Sequence, residues 1–84
     1  MKTITYRKSA LKALQRMPRQ EARRIRSKIV AYAENPVAQR NNVKALMGSD
    51  YIRLRVGDWR VIMDDQGDVL DVVKIGARGA IYRK

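Results

Sequence analysis

Apolar and polar residues alternate in two places along this chain and recur at helical spacing between them. The opening MKTITYR alternates, with Ile4 and Tyr6 among residues that favour strands, and predicts a first strand. Ser9 is a candidate cap for a short helix through ALKALQRM, in which Leu11 and Leu14 share a face. Pro18 should end that helix and open the next. In RQEARRIRSKIVAYAEN, residues Ala22, Ile25, Ile29 and Ala33 fall on one helical face, and Arg19, Arg23, Arg26 and Lys28 on the other. Asn35-Pro36 is a stop. Residues 36–50, polar and without period, predict a loop. Alternation then returns over YIRLRVGDWRVIM. Ile52, Leu54 and Val56 oppose Tyr51, Arg53 and Arg55, and Trp59, Val61 and Met63 oppose Arg60 and Ile62. Gly57-Asp58 suits the tight turn of a hairpin. DDQGD predicts a second turn and VLDVVKIG a further strand, rich in β-branched residues.

Helices with one apolar side need an apolar sheet face to cover. The expected architecture is α+β: an N-terminal strand and a helical hairpin on one face of a small antiparallel sheet. Residues 1–84 would form a single domain. The Ile52/Leu54/Val56 set would face the helices, which leaves Arg53 and Arg55 on the open side. Trp59 is expected in the core.

Composition narrows the partners. The 84 residues carry a formal net charge of +11. Residues 1–48 hold twelve Lys and Arg against Glu21 and Glu34 alone. Such an excess calls for an anionic partner. With no cysteine and no histidine, disulfides, thiolate metal sites and the commonest general base are excluded. Asp64, Asp65 and Asp68 cluster at a turn, which explains them better than a metal does; no metal or other cofactor is expected. No apolar run approaches the ~20 residues of a membrane span, and a signal-peptide core is missing. A cytoplasmic protein without a membrane partner is expected.

On the open face, Arg53, Arg55, Arg60, Lys74 and Arg78 are candidates for a phosphate site, since the guanidinium fork matches phosphate oxygens in pairs. Tyr51 and Tyr82 are available to stack on unpaired bases. Together, VKALMGSDYIRLRVGDWRVIM and VVKIGARGAIYRK resemble the RelE/ParE toxin superfamily, and the strand, helical hairpin and AENP of the front half fit it too. The resemblance covers essentially the whole chain. It implies a toxin of a type II toxin–antitoxin system, restrained by a cognate antitoxin for which the charge suggests an acidic segment. In the RelE branch the implied activity is metal-independent endonucleolytic cleavage of mRNA in the ribosomal A site, by attack of a 2′-hydroxyl on the adjacent phosphate.

Carried over residue by residue, the catalytic set is Arg53, Arg60, Arg78 and Tyr82, with Arg55, Lys74 and Tyr51 as RNA-binding residues. Arg60 would stabilise charge in the transition state. Arg53 would serve the attacking side and Arg78 the leaving side, while Tyr82 orients a base or phosphate. The chain departs from the pattern at Ala77, where many relatives have histidine. Two alternatives stay open: a ParE-like gyrase poison, and a nucleic-acid-binding module without catalysis.

Overall fold

A computed structural model describes residues 1–46 and 50–79. Strand β1 (Thr3–Tyr6) leads into helices α1 (Lys8–Arg16) and α2 (Arg19–Glu34). A 3-10 helix (Val37–Asn42) and strands β2 (Val43–Ala45), β3 (Tyr51–Val56), β4 (Trp59–Asp65) and β5 (Val69–Ala77) follow. The five strands form one sheet in the order β1-β5-β4-β3-β2.

The α+β architecture is the expected one, and the sheet differs from expectation in being mixed. Strands β2 to β5 run antiparallel, but β1 lies parallel to β5, with Thr3 opposite Val69 and Tyr6 opposite Val72. The helical hairpin carries the chain back to the starting end, so the first strand enters beside the last in the same direction.

The predicted loop over 36–50 is corrected. Its first part is the 3-10 helix, and Val43–Ala45 pair with Leu54, Arg53 and Ile52 as an edge strand. Three residues are too few to display a period, and this strand exists only because β3 is there to receive it. Ser9 is corrected as well. It lies inside α1, after the cap position at Arg7, and its hydroxyl donates to the Val73 carbonyl at 2.8 Å. Val73 is the extra residue of a bulge: Ile62 pairs with Lys74 and Met63 with Val72. A tertiary acceptor therefore claims the hydroxyl that local sequence would assign to capping.

Both helices cover one face of the sheet. Ile25, Ile29, Leu54, Val61, Met63, Leu70 and Val72 are fully buried between them, with Ala10, Leu14, Met17, Tyr32, Ala33, Val56 and Ile75 completing the core. Ala22 and Trp59 pack against it from its margin. Tyr32 is a core residue the helical spacing did not single out. Its hydroxyl donates to Asp65 at 2.8 Å, and burial, then that bond, push its pKa up. The turn between β3 and β4 is the expected one, with Gly57 at a φ of 59°, a region costly for residues with a Cβ. No helix among the described residues is long and apolar enough to cross a membrane.

Candidate functional site: a cationic sheet face

Strand register decides which side chains meet. Residues directly opposite in adjacent strands project to the same side of a sheet. One row across the open side runs Lys44, Arg53, Ile62, Lys74, and the next runs Arg55, Arg60, Gly76. The row between them, Leu54, Val61, Ile75, is buried under the helices. The alternation in YIRLRVGDWRVIM thus places its arginines on the uncovered face. Ile62 is nevertheless buried there, outside the main core cluster. Its row neighbours Arg53 and Lys74 have aliphatic stems suited to flank it while their charges reach solvent.

Arg60 is the centre of the arrangement. Its Nη1 donates to the carbonyls of Gly57 and Trp59, both at 2.9 Å. Carbonyls fix the fork without neutralising it. Partial burial lowers the pKa of Arg60, and the charges of Arg53, Arg78 and Arg55 lower it further, against an opposing pull from Asp58. Arg55 faces Arg60 across the strand pair, where Cβ atoms are typically ~4.5–5.5 Å apart and like charges are unfavourable. Arg55 Nη2 donates to Asn42 Oδ1 at 3.4 Å. Arg78 is drawn in by its backbone: its N–H donates to the Asp58 carbonyl at 2.7 Å, one step beyond the pair of Trp59 with Ala77. Gly76, opposite Arg60, leaves no side chain on the open face at that point of the row. Its φ is not positive, so its value at this position is space rather than conformational freedom.

Two cavities adjoin here. The smaller, about 160 Å³, is lined by Asn41, Asn42, Lys44, Arg53, Arg55 and Arg60. The larger, about 450 Å³, shares Asn42, Arg55 and Arg60 and adds Arg78, Gly57, Asp58 and, from α2, Arg24 and Lys28. Of the residues expected from sequence, Arg53, Arg55, Arg60 and Arg78 come together. Lys74 shares the face but lines neither cavity; it lies two strands from Arg53, roughly 10 Å away. Tyr51 stands toward the other end of the sheet. Its hydroxyl and the Asp71 carboxylate both bind Arg7, and Asp71 foremost raises the Arg7 pKa. Tyr82 lies outside the described residues.

Sequence reading missed Arg24, Asn41, Asn42 and Lys44 and left Lys28 on a general basic face. Arg24 and Lys28 are four residues apart, which places them on one side of a helix, and that spacing was the available signal. Nothing local marks the asparagines, because the 3-10 helix that carries them was itself unread.

Cations gathered around Arg60, with carbonyls holding its guanidinium, give this small α+β protein a strongly cationic open sheet face. A family profile for the ParE toxin of type II toxin–antitoxin systems matches residues 4–82. Among solved structures, the archaeal RelE–RelB complex of Pyrococcus horikoshii has a chain 30% identical, with a TM-score of 0.77 and coverage of 93% of this chain and 96% of that one. The RelB–RelE complex of Methanococcus jannaschii matches at 23% identity, TM-score 0.75, covering 93% and 94% of the two chains. The isolated Escherichia coli RelE toxin matches at 18% identity, TM-score 0.75, covering 93% and 85%. The last two are likenesses of fold. No curated protein sequence matches the chain. The chain belongs to the RelE/ParE superfamily of type II toxin–antitoxin toxins.

Proposed function

We propose that this toxin is an endoribonuclease that cuts mRNA in the ribosomal A site. The observation that carries the reading is Arg60, fixed by two carbonyls and pressed by the charges of Arg53, Arg55 and Arg78. A guanidinium fixed by carbonyls among like charges is set for an anion whose charge grows during reaction. In the proposed step the 2′-oxygen bonds to phosphorus while the bond from phosphorus to the 5′-oxygen breaks. The products are a 2′,3′-cyclic phosphate and a 5′-hydroxyl. One proton leaves the 2′-hydroxyl and one is delivered to the departing oxygen.

Arg60 is assigned to the phosphate oxygens, Arg53 to the attacking side and Arg78 to the leaving side. Arg55, with Lys74 and Tyr51 further out, is assigned to the strand. Tyr82 completes the proposed set. Arginine, lysine and tyrosine are not ready bases at neutral pH, and the chain has no histidine. With Ala77 in place of a histidine, the protein supplies charge and shape, and orientation must come from elsewhere. Prepaid orientation is worth ~7–11 kcal/mol, and a ribosome that holds the message in the A site supplies it.

The partner proposed to restrain the toxin is a cognate antitoxin with an acidic segment. Relatives crystallised with RelB support an antitoxin, and the charge of +11 supports its acidity. Acidic side chains over Arg53, Arg55 or Arg60 would compete with RNA phosphate. The family profile bears the ParE name, which supports a second reading, a gyrase poison.

One experiment separates them. An end-labelled message is incubated with the toxin, with and without programmed ribosomes, and the naked-RNA arm is run in EDTA and in magnesium. Codon-phased cuts with ribosomes and almost none without are expected. Rapid metal-dependent cutting of naked RNA would overturn the mechanism. No cutting in any arm, with loss of DNA supercoiling in cells, would establish the gyrase reading instead.

A further inference from the structure

We propose that the larger cavity is a second RNA phosphodiester subsite, in which Arg24 and Lys28 of α2 face Arg55 and Arg78 across Arg60. The inference rests on the RNA-cleaving reading and extends it beyond the face that the hairpin provides. Arg24 and Lys28 sit on one side of α2 and are exposed, so no packing demand explains them. Arg24 nevertheless has a defined place. Its guanidinium lies over the β3–β4 turn, where a Cβ added at Gly57 would come 3.1 Å from Nη1 and 3.2 Å from Nη2. The turn glycine thus admits a helix cation to the rim of the sheet.

The cavity wall then holds five cations against one carboxylate, Asp58. The cost of that crowding is offset when an external anion enters. We take the ligand to be a polymer because the two cavities share Asn42, Arg55 and Arg60 in their walls and so lie side by side. A strand whose phosphate sits in the smaller cavity, among Lys44, Arg53 and Arg60, can place a neighbouring phosphate in the larger one. Regularly spaced diester anions suit paired guanidinium forks better than scattered carboxylates do. The same chemistry could come from the cut strand or from ribosomal RNA beside the A site.

The test uses Arg24→Gln, Lys28→Gln, the double variant and Arg24→Lys, each checked by thermal melting. Lys28→Gln does not touch Gly57 and serves if the Arg24 changes disturb the turn. The probes are oligoribonucleotides of two and nine nucleotides with 2′-fluoro sugars, which keep the phosphates and cannot be cut, and programmed ribosomes. Each cation that no longer neutralises a phosphate of a single strand lowers the slope of log affinity against log salt by ~0.7. The nine-mer should bind the wild type with a slope steeper by ~1.4 than the double variant, with Arg24→Lys keeping the wild-type slope because it keeps the charge, and the dinucleotide unaffected. That result assigns the phosphates to the cut strand. An affinity loss confined to the ribosome arm assigns them to ribosomal RNA. Unchanged slopes and ribosome affinity overturn the subsite while wild-type cleavage leaves the nuclease reading standing. A wild type that neither binds nor cuts RNA removes both.

Discussion

Lys2 and Arg7 reach Asp65 and Asp71 at 3.0 and 2.8 Å, whereas Arg55 and Arg60, at the other end of the sheet, face each other across a strand pair. At the first end charge is used to close the fold. Asp65 accepts from the Tyr32 hydroxyl and the Gly67 N–H as well as pairing with Lys2, and Lys2 also donates to the Gly67 carbonyl. Asp71 likewise accepts from Thr5 and Arg7. At the second end no carboxylate among the described residues forms an ion pair with Arg55 or Arg60, and the fold bears the repulsion. The difference separates side chains that stabilise the molecule from side chains that are stabilised by it.

The sharpest way to break this contrast is Arg60→Ala. Removing one preorganised donor to a developing charge costs ~3–4 kcal/mol in the transition state. Cleavage of ribosome-bound message should therefore fall roughly 10²–10³-fold. The melting temperature should move by only a few degrees, because two hydrogen bonds to carbonyls go but so does the repulsion with Arg55. Full toxicity from a folded variant would remove Arg60 from the site.

Asp65→Asn should behave in the opposite way, with cleavage kept and about 1–3 kcal/mol of stability lost at neutral pH, as for hydrogen bonds to a charged group. Burial pushes the Asp65 pKa up, but the Tyr32 hydroxyl, Lys2 and the Gly67 N–H outweigh it, and the net shift is downward. A carboxylate with a depressed folded pKa contributes stability that is present above its unfolded value, near 3.9, and lost as pH falls through the folded one. Wild-type stability should drop below about pH 4 and approach that of Asp65→Asn. Parallel melting curves from pH 7 to 2 would show that Asp65 holds nothing.

Gly76→Ala gives the smallest stability effect and the clearest separation. A strand glycine gains ~0.5–1 kcal/mol on replacement by alanine where the backbone suits it, yet the new methyl would stand on the open face beside Arg60. Calorimetry should show equal or greater stability, and the ribosome assay lower activity. A variant as active as the wild type would mean the gap opposite Arg60 is not used.

The contrast was half legible in the sequence. Strict alternation over Tyr51–Met63 told which arginines stand on the open face, since a period of two leaves only two choices, and the Ile25–Ile29–Ala33 spacing told which side of α2 is buried. Parallel pairing of β1 with β5 was not legible, because nothing local encodes which distant edge a four-residue strand will join. Nor was the contribution of Arg24. On a helix whose outer face carries several arginines, only the closeness of Gly57 distinguishes one from the rest. Arg78 was visible by its place after Gly76, though not the bond to the Asp58 carbonyl that brings it to the turn.

The pairing of β1 with β5 also orders events in time. Arg55 and Arg60 are five residues apart and meet as soon as a hairpin forms, a microsecond process. Thr3 and Val69 are sixty-six residues apart, and such pairings form late because the loop between them must close first. During synthesis Lys2 waits for Asp65, and β1 waits for residues 69–72. The cationic hairpin can therefore form, if only transiently, on the growing chain before the sheet that carries it is closed. For a toxin, that interval is when a partner could first meet its arginines, ahead of the completed fold.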